Sequence, residues 1–216
     1  MPVDLSLVNK TICVCAKRNS GKSVLIKYLV SCCSEEFAKI YVICPTERIN
    51  HFYNSIVPDN CIFDSWSEDW AEQLIKKMTT INANKKIDER KNVLLILDDV
   101  FSDTNFHQSP ALKKLHIRGR HLNISIINTI QYLNLLPPIC RTNCDFLLAG
   151  QMNRQSVQLL ADEFLSGDLE KSEFAKMFNR CTKDYGFLVV NNNSIKDNQD
   201  LNSIYGSIKT PESYVK

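Results

Sequence analysis

The segment from Ala16 to Ser23 combines the residue types and the spacing that bind phosphate groups. It fits the pattern GxxxxGK[ST], with alanine in place of the first glycine. Such a loop points backbone N–H groups at phosphate oxygens, and the helix that follows adds the positive end of its dipole. We predict that Lys22 reaches the β- and γ-phosphates of a nucleotide and that the Ser23 hydroxyl binds Mg²⁺. The predicted nucleotide-binding residues are Ala16, Lys17, Arg18, Asn19, Ser20, Gly21, Lys22, Ser23 and Val24.

Two adjacent carboxylates, Asp98 and Asp99, follow the apolar run Val93–Leu97. A carboxylate at the carboxyl end of a buried parallel strand, beside a phosphate loop, holds Mg²⁺ through water, and we assign this role to Asp98. Asp99 is positioned to orient or deprotonate the attacking water. Gln131 follows the next predicted strand, and we predict that its amide senses the γ-phosphate or positions the water. Phosphoryl transfer to water is therefore the predicted chemistry.

Arginine side chains stabilise the charge that develops during phosphoryl transfer, and a neighbouring subunit can supply them. Arg120 lies just before the strand that leads to Gln131, and Arg141 follows a Leu-Pro-Pro turn. We take these two as candidate catalytic residues and favour Arg118 less. An ordinary surface charge is the alternative for each of them.

The composition excludes several classes of protein. The chain has 216 residues, 44% of them hydrophobic, and a formal net charge of +2, which indicates one globular domain and no strongly basic nucleic-acid-binding tail. We expect a soluble, intracellular protein, because there is no apolar run of membrane-spanning length and no signal-peptide pattern at the N-terminus. The nine cysteines include the pair Cys140 and Cys144 without a matching second pair. Reduced structural thiols are therefore favoured over a zinc site.

Short β-branched runs alternate with longer segments of helical periodicity, which predicts an α/β fold with a mainly parallel central sheet flanked by helices. The predicted strands are Thr11–Cys15, Ile40–Cys44, Cys61–Phe63, Val93–Leu97, Ile124–Asn128, Asp145–Ala149 and Phe187–Val190. The predicted helices are Lys22–Cys32, Glu68–Ile81, Pro110–Arg118, Ser156–Leu165 and Leu169–Cys181.

Two of the predicted helices carry N-cap signals, Ser67 and Ser109. Trp66 and Trp70 flank the start of the first of these helices and are expected to be core or interface anchors. From residue 191 the chain becomes polar and rich in asparagine. We expect one ATPase domain over residues 1–190 and a loosely held polar tail over residues 191–216.

Together these motifs resemble the DNA-packaging ATPases of large double-stranded DNA viruses, the poxvirus-type branch of the FtsK/HerA superfamily. The resemblance covers roughly residues 8–150 and lies in five segments: Ala16–Ser23, Leu94–Asp99, Gly119–Ser125, Thr129–Gln131 and Arg141–Asn143. The order of the acidic pair, the Arg-His segment and the glutamine at the strand end is its most specific part.

The resemblance implies an ASCE-type (RecA-like) P-loop NTPase fold, with an extra strand between the strand before the phosphate loop and the strand before the acidic pair. It implies ATP and Mg²⁺ as ligands and a homo-oligomeric ring without a membrane partner. The ring would translocate double-stranded DNA into the capsid, at the capsid or portal vertex of the virion. The expected location is the host-cell cytoplasm, in the viral factory, or the virion.

Other functions remain open, because the residues by themselves indicate only an Mg²⁺-dependent NTPase. The chain could be another P-loop ATPase acting on DNA, a small nucleoside or nucleotide kinase, or a nucleotide-binding structural subunit. A kinase usually has an arginine-rich lid, but residues 150–185 contain only Arg154 and Arg180. The basic residues that could line a DNA pore, or form a merely solvated face, are Lys85, Lys86, Arg90 and Lys91, or Lys113 and Lys114.

Overall fold

A computed structural model of the chain describes residues 5–102, 104–166, 169–196 and 200–214. In it, the strand that leads to the phosphate loop lies inside a mixed sheet. The described strands are β1 (Thr11–Cys15), β2 (Lys39–Ile43), β3 (Ile62–Phe63), β4 (Val93–Asp98), β5 (Ile124–Ile130), β6 (Phe146–Ala149), β7 (Gly186–Asn191) and β8 (Tyr205–Lys209). The described helices are α1 (Lys22–Cys33), α2 (Glu47–Asn50), α3 (Glu68–Asn82), α4 (Thr104–Gln108), α5 (Pro110–Arg118), α6 (Pro138–Thr142), α7 (Arg154–Phe164), α8 (Lys171–Cys181), α9 (Asn192–Lys196) and α10 (Leu201–Ile204).

The strand order is β3-β2-β4-β5-β1-β6-β7-β8. All pairings from β3 to β6 are parallel, and β7 and β8 extend the sheet in antiparallel fashion. Strand β5 lies between β1 and β4, as the resemblance implied. Because the carboxyl ends of parallel strands meet at one edge of a sheet, this order gathers the phosphate loop, the acidic pair and Gln131 at the same edge.

The central strands are apolar at nearly every position because helices cover both faces of the sheet. Every residue of β1 and β4 is buried, and alternate residues face opposite sides. Cys13, Cys15, Leu95 and Leu97 belong to the core on the side of α3, α5, α7 and α8. Ile12, Val14, Leu94 and Ile96 belong to the core on the side of α1. The phosphate loop is thus attached to a strand packed on both faces.

The predicted helix caps and tryptophan anchors are confirmed. The Ser67 hydroxyl accepts from the Trp70 N–H at 3.3 Å, and the Ser109 hydroxyl accepts from the Leu112 N–H at 3.0 Å. The Trp70 ring packs edge-on against Tyr41, with ring centroids 5.2 Å apart, and Trp66 packs in the same way against Phe106. These contacts fix α3 on the outer part of the sheet, beside β2.

The C-terminal segment differs from the expected loose tail. Residues 205–209 form β8 and pair with β7, and Tyr205 is buried. The asparagine-rich turn is held in place, since the Asn192 amide donates to the Cys144 carbonyl and the Asn193 amide to the Asp145 carboxylate, both at 2.9 Å. Polar composition here reflects side chains that bind a backbone carbonyl and a carboxylate just before β6 rather than a solvated tail. Residues 197–199, 215 and 216 lie outside the described part of this segment.

Two further observations concern the state of the cysteines and the hydrophobicity of the helices. All nine cysteines are free, and most of them are buried. Within the described residues, no helix has the length and hydrophobicity needed to cross a bilayer.

Candidate nucleotide-binding site

The phosphate loop joins β1 to α1 and is tied to both neighbouring strands. The Ala16 N–H donates to the Ile130 carbonyl at 3.1 Å, and the Lys17 N–H donates to the Gln151 carbonyl at 2.8 Å. Asn19 and Gly21 have positive φ angles of 57° and 84°, whereas Ala16 does not have a positive φ. Alanine therefore fits the first motif position without backbone strain, and Gly21 provides the left-handed turn into the helix.

Little space remains around Ala16. A Cβ atom added to Gly150, at the end of β6, would lie 2.8 Å from the Ala16 Cβ. The Ala16 Cβ therefore occupies the space that a side chain at position 150 would need, so the packing of these two strand ends requires glycine at position 150.

The Lys22 ammonium lies at the mouth of the loop. It donates to the carbonyl oxygens of Ala16 and Lys17, at 2.8 Å and 3.0 Å. Burial lowers the pKa of Lys22, and the nearby Asp99 and Asp98 carboxylates act in the opposite direction. The Lys22 ammonium is partly desolvated and donates to carbonyl oxygens of the loop. It is therefore suited to exchange these carbonyl oxygens for the oxygens of a phosphate group.

Asp98 ends β4 and is held by two hydroxyl groups. The Tyr53 hydroxyl donates to Asp98 Oδ2 at 2.7 Å, and the Thr129 hydroxyl donates to Oδ1. Tyr53 is completely buried. Burial, and next the Asp98 carboxylate, raises the pKa of Tyr53 well above its usual range, so this hydroxyl stays protonated and continues to donate. The two donors fix the orientation of a carboxylate that is only 7% exposed.

Asp99 and Gln131 lie together, as their positions at adjacent strand ends predicted. The Gln131 Nε2 donates to Asp99 Oδ1 and Oδ2 at 3.3 Å and 3.2 Å. The Asp99 N–H donates to the Thr129 hydroxyl at 3.0 Å. Asp99 has a φ of 59°, a left-handed conformation that aspartate and asparagine adopt more readily than most other residues.

The residues at the loop fit Mg²⁺. The ion prefers oxygen ligands and is usually bound by one or two protein side chains together with substrate phosphates and water. Ser23, on the first turn of α1, supplies a hydroxyl, and Asp98 supplies a carboxylate. Asp98 Oδ1 accepts one hydrogen bond, from the Thr129 hydroxyl, which leaves a lone pair on this oxygen for metal-bound water, whereas Oδ2 accepts from the Tyr53 hydroxyl and, at 4.0 Å, from the Cys44 thiol.

The two candidate arginines have different surroundings. Arg141 forms a bidentate ion pair with Glu163, at 2.8 Å and 2.7 Å, and also donates to the Leu136 carbonyl at 2.6 Å. Arg120 is exposed in the turn before β5, and no carboxylate in the described part of the chain pairs with it. The Arg141 guanidinium is thus engaged by a carboxylate of its own chain, whereas Arg120 has no such partner among the described residues.

A family model for the poxvirus A32 protein matches residues 5–205. The chain belongs to the poxvirus A32 family. Outside the poxviruses, protein 075L of Invertebrate iridescent virus 6 is 30% identical to this A32-family chain over 210 residues, which covers 91% of the chain and 80% of that protein.

Solved structures show the same fold. The DNA-packaging ATPase B204 of Sulfolobus turreted icosahedral virus superposes with a TM-score of 0.65 at 17% identity, covering 95% of the A32-family chain and all of B204. The genome packaging NTPase B204 of Sulfolobus turreted icosahedral virus 2, in complex with AMPPCP, superposes with a TM-score of 0.63 at 16% identity over 94% of this chain and 98% of that one. The fold of the A32-family chain is therefore that of P-loop ATPases, as predicted.

Sequence reasoning missed Tyr53 and Thr129 as site residues. Thr129 lies near the end of β5, two residues before Gln131 and paired with Asp98, so its position at a strand end was a usable signal. Tyr53 reaches Asp98 from an irregular segment after α2, and its position is fixed by the Glu47 carboxylate, which accepts from the Tyr53 N–H at 2.6 Å. No local sequence pattern predicts the contact between Tyr53 and Asp98.

Proposed function

We propose that this A32-family chain is an Mg²⁺-dependent ATPase that translocates double-stranded viral DNA into the capsid. The observation that carries the proposal is the grouping of Lys22, Asp98, Asp99 and Gln131 at one edge of the sheet. Family membership and the fold shared with the B204 packaging ATPase support packaging as the use of that activity.

Each residue has a distinct part in the proposed hydrolysis. Lys22 and the backbone N–H groups of the loop bind the phosphates. The Asp99 carboxylate orients the attacking water or accepts its proton. The Ser23 hydroxyl, and Asp98 through water, would hold Mg²⁺, which would supply positive charge to the phosphate oxygens. Because Gln131 already contacts the Asp99 carboxylate, it can hold that carboxylate in place and report on the γ-phosphate beside it.

The proposed motor is a homo-oligomeric ring. Within it, Arg120 of one subunit would stabilise the charge that develops at the site of its neighbour, as trans-acting arginines do in phosphoryl transfer. The ring would act at the capsid or portal vertex, in the viral factory of the host cytoplasm or in the virion. Arg141, bound to Glu163, is a weaker candidate for this role.

The proposed motor moves along duplex DNA, and one basic surface of the chain is suited to bind the DNA phosphates. The loop between α3 and β4 carries Lys85, Lys86, Arg90 and Lys91, at the sheet edge where Arg118 and Arg120 precede β5. The two loops are joined by a hydrogen bond of 3.0 Å from the Asn123 amide to the Asn92 amide oxygen. The alternative site is less available, because Lys114 pairs with Glu72 at 2.5 Å. Phosphate contacts of this kind make binding depend on salt and not on sequence.

ATP hydrolysis with and without linear duplex DNA tests the proposal. The wild type is compared with Lys22→Ala and Asp99→Asn, and asparagine is chosen because it tolerates the left-handed backbone at position 99. We expect hydrolysis stimulated by duplex DNA, loss of nucleotide binding in Lys22→Ala, and binding without turnover in Asp99→Asn. Assembled wild-type protein that binds ATP but does not hydrolyse it with DNA present would favour a nucleotide-binding structural subunit instead.

A further inference from the structure

A cavity of about 440 Å³ lies against the phosphate loop, on the side away from the acidic pair. One wall is the loop itself, Lys17–Ser20, and the other is formed by Gln151 and by the turn Asp184–Gly186. Its volume is within the range of sites for small molecules. None of the residues proposed for hydrolysis on β4 and β5 lines this cavity.

Tyr185 presents a partly exposed aromatic ring at the edge of this cavity. The residue is 56% exposed although it packs against the loop. Its Cδ1 and Cβ atoms lie 3.5 Å and 3.7 Å from the place where a Cβ on Gly21 would be. An aromatic side chain therefore lies directly over the glycine that precedes Lys22, next to the space where phosphates bind.

The turn that carries Tyr185 is held in an unusual conformation. Asp184 and Tyr185 both have positive φ angles, 50° and 62°, and neither is glycine. A Cβ on the next residue, Gly186, would lie 2.2 Å from the Cys181 carbonyl oxygen, so the chain passes tightly against the end of α8. Gln151 joins the turn to the end of β6 by donating to the Thr182 carbonyl at 3.3 Å. The ring is thus preorganised by its surroundings, which is typical of binding residues.

The order of the strands sets the direction in which a nucleotide must lie. Asp99 and Gln131 are on the β4 and β5 side of β1, whereas Gln151 and Tyr185 are on the β6 and β7 side. If the terminal phosphate faces Asp99, the sugar and base extend from the loop away from that side. The cavity beside Tyr185 is the space next to the loop in that direction.

We infer that Tyr185 and this cavity form the nucleobase subsite, in which the tyrosine ring stacks on the base of the bound nucleoside triphosphate. The inference rests on the proposed nucleotide binding at residues 16–23. Stacking on an aromatic side chain uses the π-face that every base has, so it adds affinity with little base selectivity. The phosphates are then bound by the loop, and the base is held by the turn before β7.

Calorimetric titration with two ligands separates the base subsite from the phosphate site. AMPPCP carries a base, and inorganic tripolyphosphate does not; both are titrated with Mg²⁺ present. Wild type is compared with Tyr185→Ala, which removes the ring, and with Tyr185→Phe, which keeps it. Tyr185→Asn also removes the ring but suits the left-handed backbone, so it serves if the alanine variant is unstable. Tyr214→Phe, a change at another partly exposed tyrosine, is the matched control.

Removal of the ring should weaken AMPPCP binding about 5- to 150-fold, the range that corresponds to the loss of base stacking on an aromatic side chain. Tripolyphosphate binding should stay within about twofold in every variant, and Tyr185→Phe should bind AMPPCP like the wild type. Equal AMPPCP affinity in the wild type and the ring-free variants would refute the base subsite alone. Equal losses for both ligands would also refute it, because they would place the effect on the loop. A wild type that binds neither ligand would refute the proposed phosphate site as well.

Discussion

Replacing Tyr53 with phenylalanine removes one hydroxyl that orients Asp98 and little else. The Tyr53 ring is completely buried, and phenylalanine fills the same space. The lost hydrogen bond is 2.7 Å long and ends on a buried carboxylate. Hydrogen bonds to charged groups contribute about 1.5–3 kcal/mol, so we expect unfolding free energy to fall by about 2 kcal/mol. For a chain of this size that corresponds to a Tm about 4–8 °C lower.

The same change should slow hydrolysis, because Asp98 loses one of the two hydroxyl groups that orient it. If about 1.4 kcal/mol of the lost bond acts on the transition state, turnover falls about tenfold. The Mg²⁺ concentration needed for half-maximal turnover should also rise, since Asp98 is the proposed carboxylate for the ion. The assay is steady-state ATP hydrolysis over a range of Mg²⁺ concentrations, with melting temperature measured on the same samples.

Tyr205→Phe is the matched control. The Tyr205 hydroxyl is also buried and engaged, since it donates to the Phe164 carbonyl at 2.7 Å and accepts from the Ser166 N–H at 3.0 Å. We expect a comparable loss of stability without a change in turnover or Mg²⁺ requirement. Wild-type turnover and Mg²⁺ requirement in Tyr53→Phe would refute the reasoning. So would an equal loss of turnover in Tyr205→Phe.

Three further predictions concern other parts of the chain. Gln131→Ala frees the Asp99 carboxylate and should lower turnover by roughly 10²-fold while AMPPCP affinity by titration stays within about twofold; unchanged turnover would contradict the assigned role. Arg141→Ala breaks the ion pair with Glu163 and should lower unfolding free energy in urea by about 1–3 kcal/mol. A stable but inactive variant would instead indicate a trans-acting arginine. Burial lowers the pKa of His116 in the folded protein below the usual 6.5. The unfolded chain therefore binds more protons at acidic pH, and stability present above pH 6.5 is lost as pH falls towards the folded pKa. His116→Gln should remove this part of the pH dependence, and an unchanged profile would exclude His116 as its source.

The central part of the fold could be predicted because the signals there are local. Strand β1 and helix α5 have the predicted bounds, since each is marked by a residue pattern and a clear end signal. Most of the other predicted elements differ by one or two residues at their ends, where hydrogen bonding to a neighbouring element decides the boundary. For example, β5 continues to Ile130 because Thr129 pairs with Asp98 on β4 and Ile130 pairs with Cys15 on β1.

The C-terminal edge of the sheet could not be predicted, because its stability comes from distant contacts. Strand β8 is short and polar, and its partner is β7. The Tyr205 hydroxyl is satisfied by Phe164 and Ser166, which lie about 40 residues earlier. Composition alone therefore suggested a tail where the folded chain has an antiparallel edge.

Some residues of the candidate site could likewise be predicted from the sequence and others could not. The proximity of the motif residues Lys22, Asp98, Asp99 and Gln131 could be predicted from type and spacing, because strand ends converge in a parallel sheet. Tyr53 and Tyr185 could not, because the tertiary fold brings Tyr53 to Asp98 and Tyr185 to the phosphate loop from short turns outside the motifs. Side chains that orient or cover a phosphate loop have no fixed sequence offset from it.

Displacement of a triplex-forming strand from linear duplex DNA tests the central claim most directly, since it detects movement along the track. The assembled wild type is given ATP, AMPPCP or no nucleotide, and Asp99→Asn is the inactive control. We expect displacement by the wild type with ATP only, and later displacement when the triplex is placed farther from the DNA end. ATP hydrolysis by the assembled wild type without displacement at any distance would contradict the account of the chain as a DNA-translocating motor.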